Sequence, residues 1–401
     1  MRVCIHKDVI GSDRHLISDG DEFCWSPFIP EDAWLCGFSD SHLRSVDLLA
    51  RQTGVSLKVS PSESHDKSWS ILRPKGSVGV PWRWVLRGSK FQTHLKQLLD
   101  QIWELLESNH DSYYGQEFVT MRGFLQSLDR AKIDKKGLYK ILDDPSERDG
   151  SLRSFIPDSQ GLLGQTLYSQ TSSCSGRLTV KGGPSILTMR KDRRSLLRSR
   201  YSGGKIIQID FVSLEPRVAL CTAGCPFDGD IYDLIRRDVL NSEVDRKVAK
   251  IATIGCLYGM SAKKLSEVIG SSDSSRQILK KIRNHFKIPR LEKDLKSQLS
   301  ETGSISNLYG KVMSPDSDSG HLLVNRFIQS TAADAAILGF SSLCDQIKNK
   351  EVRAKPIFVI HDALILDVDC DDLSKIEEII ENPLILPKLD GKFPVSMEII
   401  S

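Results

Sequence analysis

The segment from Ile207 to Leu220 constrains the fold and chemistry of this chain more than any other. It reads IQIDFVSLEPRVAL, so an apolar run ends at a carboxylate, Asp210, and a second carboxylate, Glu215, follows five residues later. A sheet can present a carboxylate on a rigid support where an apolar strand ends. We therefore predict a strand over 205–210, a helix near 214–223, and a functional carboxylate at the strand end.

A helix predicted over residues 243–258 has two cations on one face. One stripe along it consists of residues that recur every four positions: Arg246, Lys250, Ile254 and Tyr258. Two cations one turn apart can hold a triphosphate, an apolar residue one turn further can cover a base, and an aromatic ring can stack near a template. The spacing alone also fits an amphipathic helix with a solvated basic end.

A second aspartate, Asp362, ends an apolar run within a strand pair predicted near 356–368. Phosphoryl transfer from a nucleotide uses two hard cations that oxygen ligands hold about 3.5–4 Å apart. One cation lowers the pKa of the attacking hydroxyl, and both neutralise the developing charge. Asp210 and Asp362 are therefore predicted to be catalytic and to bind two Mg²⁺ ions, which Mn²⁺ can replace.

Charge is informative through its distribution, because the net charge of +3 is too small to indicate a nucleic-acid partner by itself. Seven basic residues crowd the segment just before the first catalytic strand: Arg190, Lys191, Arg193, Arg194, Arg198, Arg200 and Lys205. Beside a catalytic strand, this cluster favours contact with a phosphate backbone over a solvated loop.

The cysteines and the hydropathy pattern indicate the cellular location of the protein. The nine cysteines include no CxxC pair, and the start of the chain lacks the apolar run of a signal peptide. No stretch of about 18 apolar residues predicts a membrane span. We expect an intracellular protein without membrane contact, in the cytoplasm of a bacterial host or encoded by a virus or plasmid.

In their order, the three segments resemble motifs A, B and C of the family A (DNA polymerase I-like) DNA polymerases. Shorter segments extend the resemblance: SGRLT from Ser175, DIY from Asp230, LYGK from Leu308, QSTAAD from Gln329 with Asn325 before it, and VIHDA from Val359. These are similar to the family's TGRLS, DIH, LFGR, N-x3-QGTAAD and VHDE segments. The resemblance covers roughly residues 150–401.

The resemblance implies a role for each matching residue. The metal ligands are Asp210, Asp362 and the backbone carbonyl of Phe211. The residues that bind the incoming nucleotide are Arg246, Lys250, Ile254, Tyr258, Tyr232 and Glu215. The residues that contact primer–template DNA are Arg177, Asn325, Gln329 and His361. In the family, the residue at the Glu215 position blocks the 2′-hydroxyl of a ribonucleotide, which favours deoxynucleotides.

Three positions depart from the family pattern. Ile254 stands where the family has Phe or Tyr, which bears on base stacking and sugar discrimination. Ala363 replaces the glutamate that follows the second catalytic aspartate, so an accessory carboxylate is missing. Pro216 replaces a leucine, and the first turn of a helix accepts proline.

The resemblance implies an α+β right-hand polymerase fold with an antiparallel-sheet palm, helical fingers and a helical thumb. The expected organisation is an N-terminal accessory region at 1–88, a helical thumb-like region at 89–150, and a palm and fingers core at 151–401, with the fingers at about 225–305. Helices predicted between the strands suit a helical subdomain inside a sheet domain. They lie at 231–239, 243–258, 261–269, 275–285, 290–302 and 322–347. A helical hairpin without a ligand is the alternative for the thumb-like region.

The N-terminal region differs in composition, since all six tryptophans lie within the first 103 residues. We predict short strands and loops there, one helix near 41–52, and a polar loop over 60–67. A partner-docking surface and a structural core both fit the tryptophans. The acidic run Asp19-Gly20-Asp21-Glu22 fits a solvated loop better than a proofreading exonuclease site, so no such domain is expected.

The function expected from these features is DNA-templated DNA synthesis, in which dNTPs are added to a primer 3′-hydroxyl by two-metal phosphoryl transfer without intrinsic proofreading. A phage or mobile-element replicase would suit this compact form. Its partners would be primer–template DNA, dNTPs and a separate exonuclease or processivity protein. A single-subunit RNA polymerase-like enzyme is one alternative, which Glu215 argues against. A non-catalytic DNA-binding relative is another, which the intact Asp210, Asp362, Arg246 and Lys250 argue against.

Overall fold

A computed structural model of the 401-residue chain describes residues 1–20, 22–37, 42–72, 79–110, 114–144, 150–173, 176–240, 244–270 and 275–401. Asp21, Ser41 and Ser175, which belong to segments quoted above, lie outside the described residues. The chain divides into two compact units, a first unit of Met1–Arg122 with Gly310–Val312 and a second unit of Gly123–Tyr309 with Met313–Ser401.

The first unit contains a four-stranded sheet and several helices. Its strands are β1 (Arg2–Ile5), β2 (His15–Ser18), β3 (Phe23–Ser26) and β4 (Ala33–Cys36). Its helices are α1 (Lys7–Ile10), α2 (Val46–Thr53), α3 (Glu63–Leu72), α4 (Trp82–Val85), α5 (Ser89–His110) and most of α6 (Tyr114–Ser127). The strand order is β3-β2-β1-β4, in which β1 runs antiparallel to β2 and parallel to β4. The short strands predicted for this region are confirmed.

The polar loop predicted over 60–67 is wrong, because α3 begins at Glu63. Its few apolar residues give no clear helical period, although Glu63 and Asp66 in the first turn suit the positive end of a helix dipole. Asp66 also accepts a hydrogen bond from the Val80 N–H at 2.6 Å. That contact joins distant segments, and a local sequence pattern cannot show it.

The tryptophans of the first unit lie both in its core and on its surface. Trp34 is buried and stacks with Phe118, with ring centroids 6.3 Å apart. Trp82 is also buried, whereas Trp84 is 65% exposed. The aromatic residues therefore form part of the core and also part of the surface of this unit.

The second unit holds the remaining elements. Its strands are β5 (Lys132–Ile133), β6 (Leu167–Ser169), β7 (Thr179–Gly182), β8 (Leu197–Arg198), β9 (Lys205–Phe211), β10 (Ile305–Ser306), β11 (Val312–Met313, of which Val312 belongs to the first unit), β12 (Ala354–Ile360), β13 (Ala363–Val368), β14 (Leu384–Leu386), β15 (Leu389–Phe393) and β16 (Val395–Ile399). Its helices are α7 (Lys135–Leu142), α8 (Leu214–Thr222), α9 (Ile231–Asp238), α10 (Arg246–Leu257), α11 (Ala262–Ile269), α12 (Ser275–His285), α13 (Ile288–Thr302), α14 (Gly320–Asn349) and α15 (Leu373–Glu381). Short 3₁₀ helices lie at Gly150–Phe155, Ile186–Thr188, Lys191–Leu196 and Cys370–Asp372.

The central sheet of the second unit has the strand order β12-β13-β9-β16, and each pair is antiparallel. Asp210 in β9 stands opposite Ala363 in β13 and opposite Ser396 in β16. Residues directly opposite each other in a sheet point to the same face, so these three lie on one face. In the part of the chain that the structure describes, six helices, α8 to α13, lie between β9 and α14, as predicted. The expected α+β class is confirmed.

Polar side chains cap the N-termini of three of these helices. Asp230 accepts hydrogen bonds from the N–H groups of Tyr232 and Asp233 at the start of α9. Asp245 and Ser261 cap α10 and α11 in the same way. Each side chain supplies an acceptor for a backbone donor that the first helical turn leaves unpaired.

The long helix α14 is packed against β9. The rings of Phe211 and Phe340 lie 5.1 Å apart, and Gly339 faces the same ring. A Cβ atom at Gly339 would come within 2.9 Å of the Phe211 ring and 2.7 Å of Leu386. Only glycine permits this approach without a shift, so the helix and the strand end are held tightly together.

Arg217 in α8 fixes the path of the chain after β9. Its side chain is buried, at 4% exposure. The guanidinium donates hydrogen bonds of 2.7–3.3 Å to four backbone carbonyls, those of Val212, Phe227, Gly229 and Lys392. One side chain thus joins the turn after β9, the segment before α9 and β15.

Replacing Arg217 with methionine should lower the free energy of unfolding by about 3 kcal/mol, because four backbone carbonyls lose their donor. Urea unfolding followed by circular dichroism would measure the loss. Arg237→Met is the matched control, since Arg237 is exposed and its guanidinium bonds only to its neighbour Asp238 among the described contacts. We expect a change within about 0.5 kcal/mol for the control. Equal small losses for the two variants would contradict the role of Arg217.

Candidate active site

The two carboxylates predicted to bind metal lie on adjacent segments of the sheet. Asp210 is in β9, and Asp362 lies in the two-residue turn between β12 and β13. The backbone N–H of Phe211 donates a hydrogen bond of 3.1 Å to the Asp362 carbonyl. This bond fixes the turn against the strand that carries Asp210.

Two residues with left-handed backbone shape the approach to these carboxylates. His361 has φ +55° and Ser213 has φ +59°, values that are uncommon for residues other than glycine. His361 forms the turn that presents Asp362. Ser213 forms the turn from β9 into α8, which places Glu215 in the first turn of that helix. Strained positions of this kind concentrate at functional sites.

Asp210 and Asp362 lie in surroundings that disfavour the ionised form of their carboxyl groups. Burial raises the pKa of Asp210 to about 6; the charge of Asp362 adds to this shift, and Lys250 opposes it. Burial also raises the pKa of Asp362, and the charge of Glu215 adds to that shift. A cation between such groups would relieve the repulsion, and carboxylate oxygens are the ligands that hard divalent ions prefer. The residues present therefore fit a Mg²⁺ site.

Glu215 connects two other predicted site residues. Its Oε1 accepts a hydrogen bond of 2.9 Å from Nη2 of Arg177. Burial raises the pKa of Tyr258, and the charge of Glu215 adds to the shift. Within the described part of the chain, the buried Tyr258 hydroxyl has no hydrogen-bond partner that meets the geometric criteria.

An open cleft brings together predicted residues that lie far apart in the sequence. It is lined by Arg177, Glu215, Gln329, His361 and Asp362. The small side chains of the neighbouring α14 positions, Ala332 and Ala333, leave its floor open. One cavity thus contains residues predicted for catalysis, sugar selection and contact with DNA.

The two cations of α10 lie over the ring of Tyr232. The Arg246 guanidinium and the Lys250 ammonium are 5.3 and 5.8 Å from its centroid. Arg246 also forms an ion pair of 2.7 Å with Asp230. Both cations are exposed, and Ile254, one turn after Lys250, is half-buried. The arrangement holds two positive charges in place toward solvent, next to the strand of Asp210.

The QSTAAD and LYGK segments are held together by buried hydrogen bonds. The Asn307 amide donates to Ser330 at 3.0 Å and to Asp334 at 2.7 Å. The Leu308 N–H donates to the Thr331 hydroxyl at 3.2 Å. These polar residues support α14 in its position.

Asn325 and Gln329, the two predicted DNA contacts on α14, lie one turn apart. Gln329 reaches the cleft. The Oδ1 atom of Asn325 is buried and has no hydrogen-bond partner in the described residues. Its acceptor is therefore available to a donor from a bound molecule.

Sequence reasoning missed Gln208, which lies beside Asp210, and it assigned Arg194 only to the basic cluster. Gln208 accepts a hydrogen bond of 2.8 Å from Arg194 and, by its own hydrogen bond, lowers the pKa of Asp210. Strand residues two apart share a face, so Gln208 lies on the face of Asp210. A polar residue in an otherwise apolar run was the available signal.

Four cations of the basic segment before β9 are paired with carboxylates. Its side chains form ion pairs of 2.7–3.0 Å within the second unit: Arg190 with Asp192, Lys191 with Glu398, Arg198 with Asp134, and Arg200 with Asp129. Most of these partners lie far along the chain, so composition could not reveal them. The contact of this segment with a phosphate backbone stays a prediction.

Within the part of the chain that the structure describes, three potential metal ligands also meet at Asp369, Cys370 and Asp371. Arg353 already forms ion pairs with Asp369 and Asp371, at 2.8 and 3.3 Å. An internal cation therefore balances that cluster, in contrast to Asp210 and Asp362.

Comparison with known proteins identifies the fold and the family of this chain. The chain shares its fold with the POL domain of Pol1 from M. smegmatis, solved in complex with DNA primer-template and dNTP. The TM-score is 0.59 at 14% sequence identity, covering 96% of this chain and 92% of that one. The fold is thus the right-hand polymerase fold, with an antiparallel-sheet palm. The model of DNA polymerase family A matches residues 151–399, and the chain belongs to that family.

Two curated relatives are similar in sequence. The DNA polymerase of Bacillus phage SP01 is 24% identical over 234 residues, which is 50% of this chain and 25% of the relative. DNA polymerase I of Aquifex aeolicus (strain VF5) is 24% identical over 259 residues, which is 58% of this chain and 44% of the relative. The chain thus spans less than half the length of these relatives. In the described residues, no helix is both long and apolar enough to cross a membrane.

The raised pKa of Asp210 predicts how stability depends on pH in metal-free buffer. The folded state binds this proton more tightly than the unfolded state, so stability falls as pH rises from the ordinary value of 3.8 through about 6. Asp210→Asn removes the charge and should add on the order of 2 kcal/mol to the free energy of unfolding above that range. The gain should vanish below it.

Chemical denaturation across this pH range, with a chelator present, would measure the effect. Asp345→Asn changes an exposed aspartate on α14 and should show no such dependence. A gain for Asp210→Asn that is the same at low and neutral pH would contradict the prediction.

Proposed function

We propose that this chain is a DNA-templated DNA polymerase that adds deoxynucleotides to a primer 3′-hydroxyl. The observation that carries the proposal is the electrostatic coupling of Asp210 to Asp362 and to Lys250 of α10, together with Glu215, which lines the cleft beside Asp362. Family membership supports the activity. The substrates in the M. smegmatis complex, a primer-template and a dNTP, support the choice of substrates for this chain.

Asp210, Asp362 and the backbone carbonyl of Phe211 would hold two Mg²⁺ ions. When bound, the ions would lower the pKa of the primer hydroxyl and neutralise charge on the α-phosphate and the leaving pyrophosphate. The residues themselves supply a rigid support, because the Phe211 N–H holds the Asp362 turn in register. Asp210 must lose its proton to act as a ligand, so metal affinity should rise with pH through about 6.

Arg246 and Lys250 would bind the triphosphate, with Tyr232 as their aromatic support. Arg246 is already paired with Asp230, which keeps its guanidinium in one orientation before nucleotide binds. A phosphate can replace or share that carboxylate, because an arginine presents several donors. Preorganised charge of this kind stabilises a transition state without reorganisation during the reaction.

Arg177, Asn325, Gln329 and His361 would contact the primer–template DNA. Arg177 and Glu215 form an ion pair, so the residue proposed to contact the primer end also positions the residue proposed to exclude the 2′-hydroxyl. Tyr258, whose pKa the charge of Glu215 raises, would lie near the sugar of the incoming nucleotide, and Ile254 would cover the base.

The organisation proposed for this polymerase keeps the palm and fingers at 151–401, with the fingers at about 225–305, a thumb at 89–150, and an accessory region at 1–88. A phage or mobile-element replicase that relies on a separate exonuclease or processivity protein fits this arrangement. The similarity to a phage polymerase supports that origin. The lack of intrinsic proofreading stays a prediction.

Asp210→Ala or Asp362→Ala should reduce primer extension to background, because the ions lose a ligand, while primer–template affinity should change little. Extension with all four dNTPs and a DNA-binding titration would be measured on the same preparations. Asp345→Ala, at an exposed position of α14, is the control and should keep wild-type activity. Near-normal extension by either catalytic variant would contradict the proposal.

Glu215→Ala should raise the efficiency of ribonucleotide use relative to deoxynucleotide use by roughly 10-fold or more, because the space next to the sugar opens. Glu215→Gln is the matched control, since it keeps the size and removes the charge. A steric barrier predicts that glutamine retains most of the discrimination. Single-nucleotide insertion kinetics with dNTP and NTP would show whether the ratio moves, and an unchanged ratio in the alanine variant would exclude Glu215 as the barrier.

A further inference from the structure

The first unit presents an exposed tryptophan that neighbouring rings hold in place. Trp82 in α4 is buried and donates its indole N–H to the Val59 carbonyl at 2.8 Å. Trp84, two residues later, is 65% exposed, and its ring meets that of Trp69 edge-on, with centroids 4.8 Å apart. The buried ring anchors the short helix, and the exposed ring is fixed on its surface.

The backbone of α1 allows this arrangement. Gly11 ends α1 with φ +77°, and a Cβ atom there would come within 2.8 Å of Pro81 and 3.6 Å of the Trp84 ring. Glycine thus lets α4 approach α1 closely. The position of Trp84 is therefore defined by packing on one side, and its other side faces solvent.

A second exposed tryptophan lies next to α4. The guanidinium of Arg83 is 5.2 Å from the ring centroid of Trp25, which is 40% exposed on the edge strand β3. Arg83 and Arg87 are themselves exposed. We call Trp25, Arg83, Trp84 and Arg87 the aromatic–basic surface.

The segment that carries Arg83, Trp84 and Arg87 has charges of one sign. From Lys67 to Leu99 the sequence contains seven basic residues and no acidic one. Two of the seven, Arg73 and Lys75, lie outside the described residues, and the described Arg83, Arg87, Lys90 and Lys96 are exposed. Asp66, which precedes the segment, directs its carboxylate to the Val80 N–H. A ligand for this surface should therefore be anionic and carry flat apolar groups.

We propose that the aromatic–basic surface binds single-stranded nucleic acid. Unpaired bases would stack on Trp84 and Trp25, while Arg83 and Arg87 contact the phosphates. Aromatic platforms combined with cations along a backbone track are the usual means of binding single strands without sequence preference. A duplex keeps its bases stacked internally, so it cannot offer them to tryptophan. The surface lies wholly in the first unit and does not depend on the function proposed for the second.

Tryptophan fluorescence offers a direct test on the full chain, because all six tryptophans belong to the first unit. Titration with an unlabelled oligo(dT) should quench this fluorescence, since stacked bases quench indoles. A blunt duplex of the same length should quench it much less. Equal quenching by the two, or none by oligo(dT), would overturn the proposal.

Variants of the aromatic–basic surface would show whether oligo(dT) binds there. Arg83→Glu and Trp84→Leu should each weaken oligo(dT) binding roughly 10-fold in fluorescence anisotropy, whereas Trp84→Phe, which keeps a stacking ring, should bind nearly as the wild type. Arg51→Glu, at an exposed arginine of α2, is the matched charge control and should have a smaller effect. Circular dichroism would confirm that each variant is folded.

Unchanged affinity for oligo(dT) in Arg83→Glu and Trp84→Leu would overturn the proposal. A partner protein would then be the alternative ligand for this surface. Loss of affinity in Trp84→Phe equal to that in Trp84→Leu would argue against stacking and would also overturn it. Primer extension by the same proteins separates the two hypotheses. Absence of extension together with surface-dependent quenching would contradict the proposed polymerase activity and leave this inference standing.

Discussion

The repulsion between Asp210 and Asp362 is the constraint on which the candidate site depends. Burial and the neighbouring charge together raise the pKa of Asp210, so the fold must hold the two groups against an unfavourable interaction. The antiparallel register of β9 and β13 does this, and a hydrogen bond from Phe211 locks the turn that carries Asp362. A slip of one residue would turn Asp210 to the opposite face of the sheet. The packing of α14 on Phe211, possible because of Gly339, protects that register.

Two arginines near the site are each held in orientation by an ion pair. Arg177 is paired with Glu215 and Arg246 with Asp230, at 2.9 and 2.7 Å. Each carboxylate orients a side chain that would otherwise move freely, so part of the ordering cost of binding an anionic ligand is met during folding. Both pairs are partly open to solvent, so they contribute little to stability. Their main effect is therefore on geometry.

Local patterns in the sequence were sufficient to predict strands β9, β12 and β13 and helices α8 to α14, because periodicity and capping residues such as Asp245 are local signals. The short strands of the second unit, such as β5 and β8, were not predicted. Local patterns were also sufficient to place Asp210, Glu215 and Asp362 near one another once the family pattern was recognised. They failed where the determining contact joins distant segments. Helix α3 depends on such contacts. The ion pair between Lys191 and Glu398 joins residues that are 207 positions apart, and no window of the chain reveals it.

Ala363 stands where the family pattern has an accessory glutamate. The side chains around Asp210 on this face of the sheet show how that replacement changes the local charge. Ala363 and Ser396 stand on either side of Asp210, and Gln208 lies next to it along the strand, so its nearest neighbours on that face are neutral. Glu398 stands opposite Gln208, but Lys191 neutralises it at 2.7 Å. A third carboxylate at residue 363 would add to the repulsion that already raises the pKa of Asp210. With alanine there, the charge that acts on Asp210 from the neighbouring turn comes from Asp362, which is itself influenced by Glu215. Gln208, bonded to Arg194, adds a polar contact.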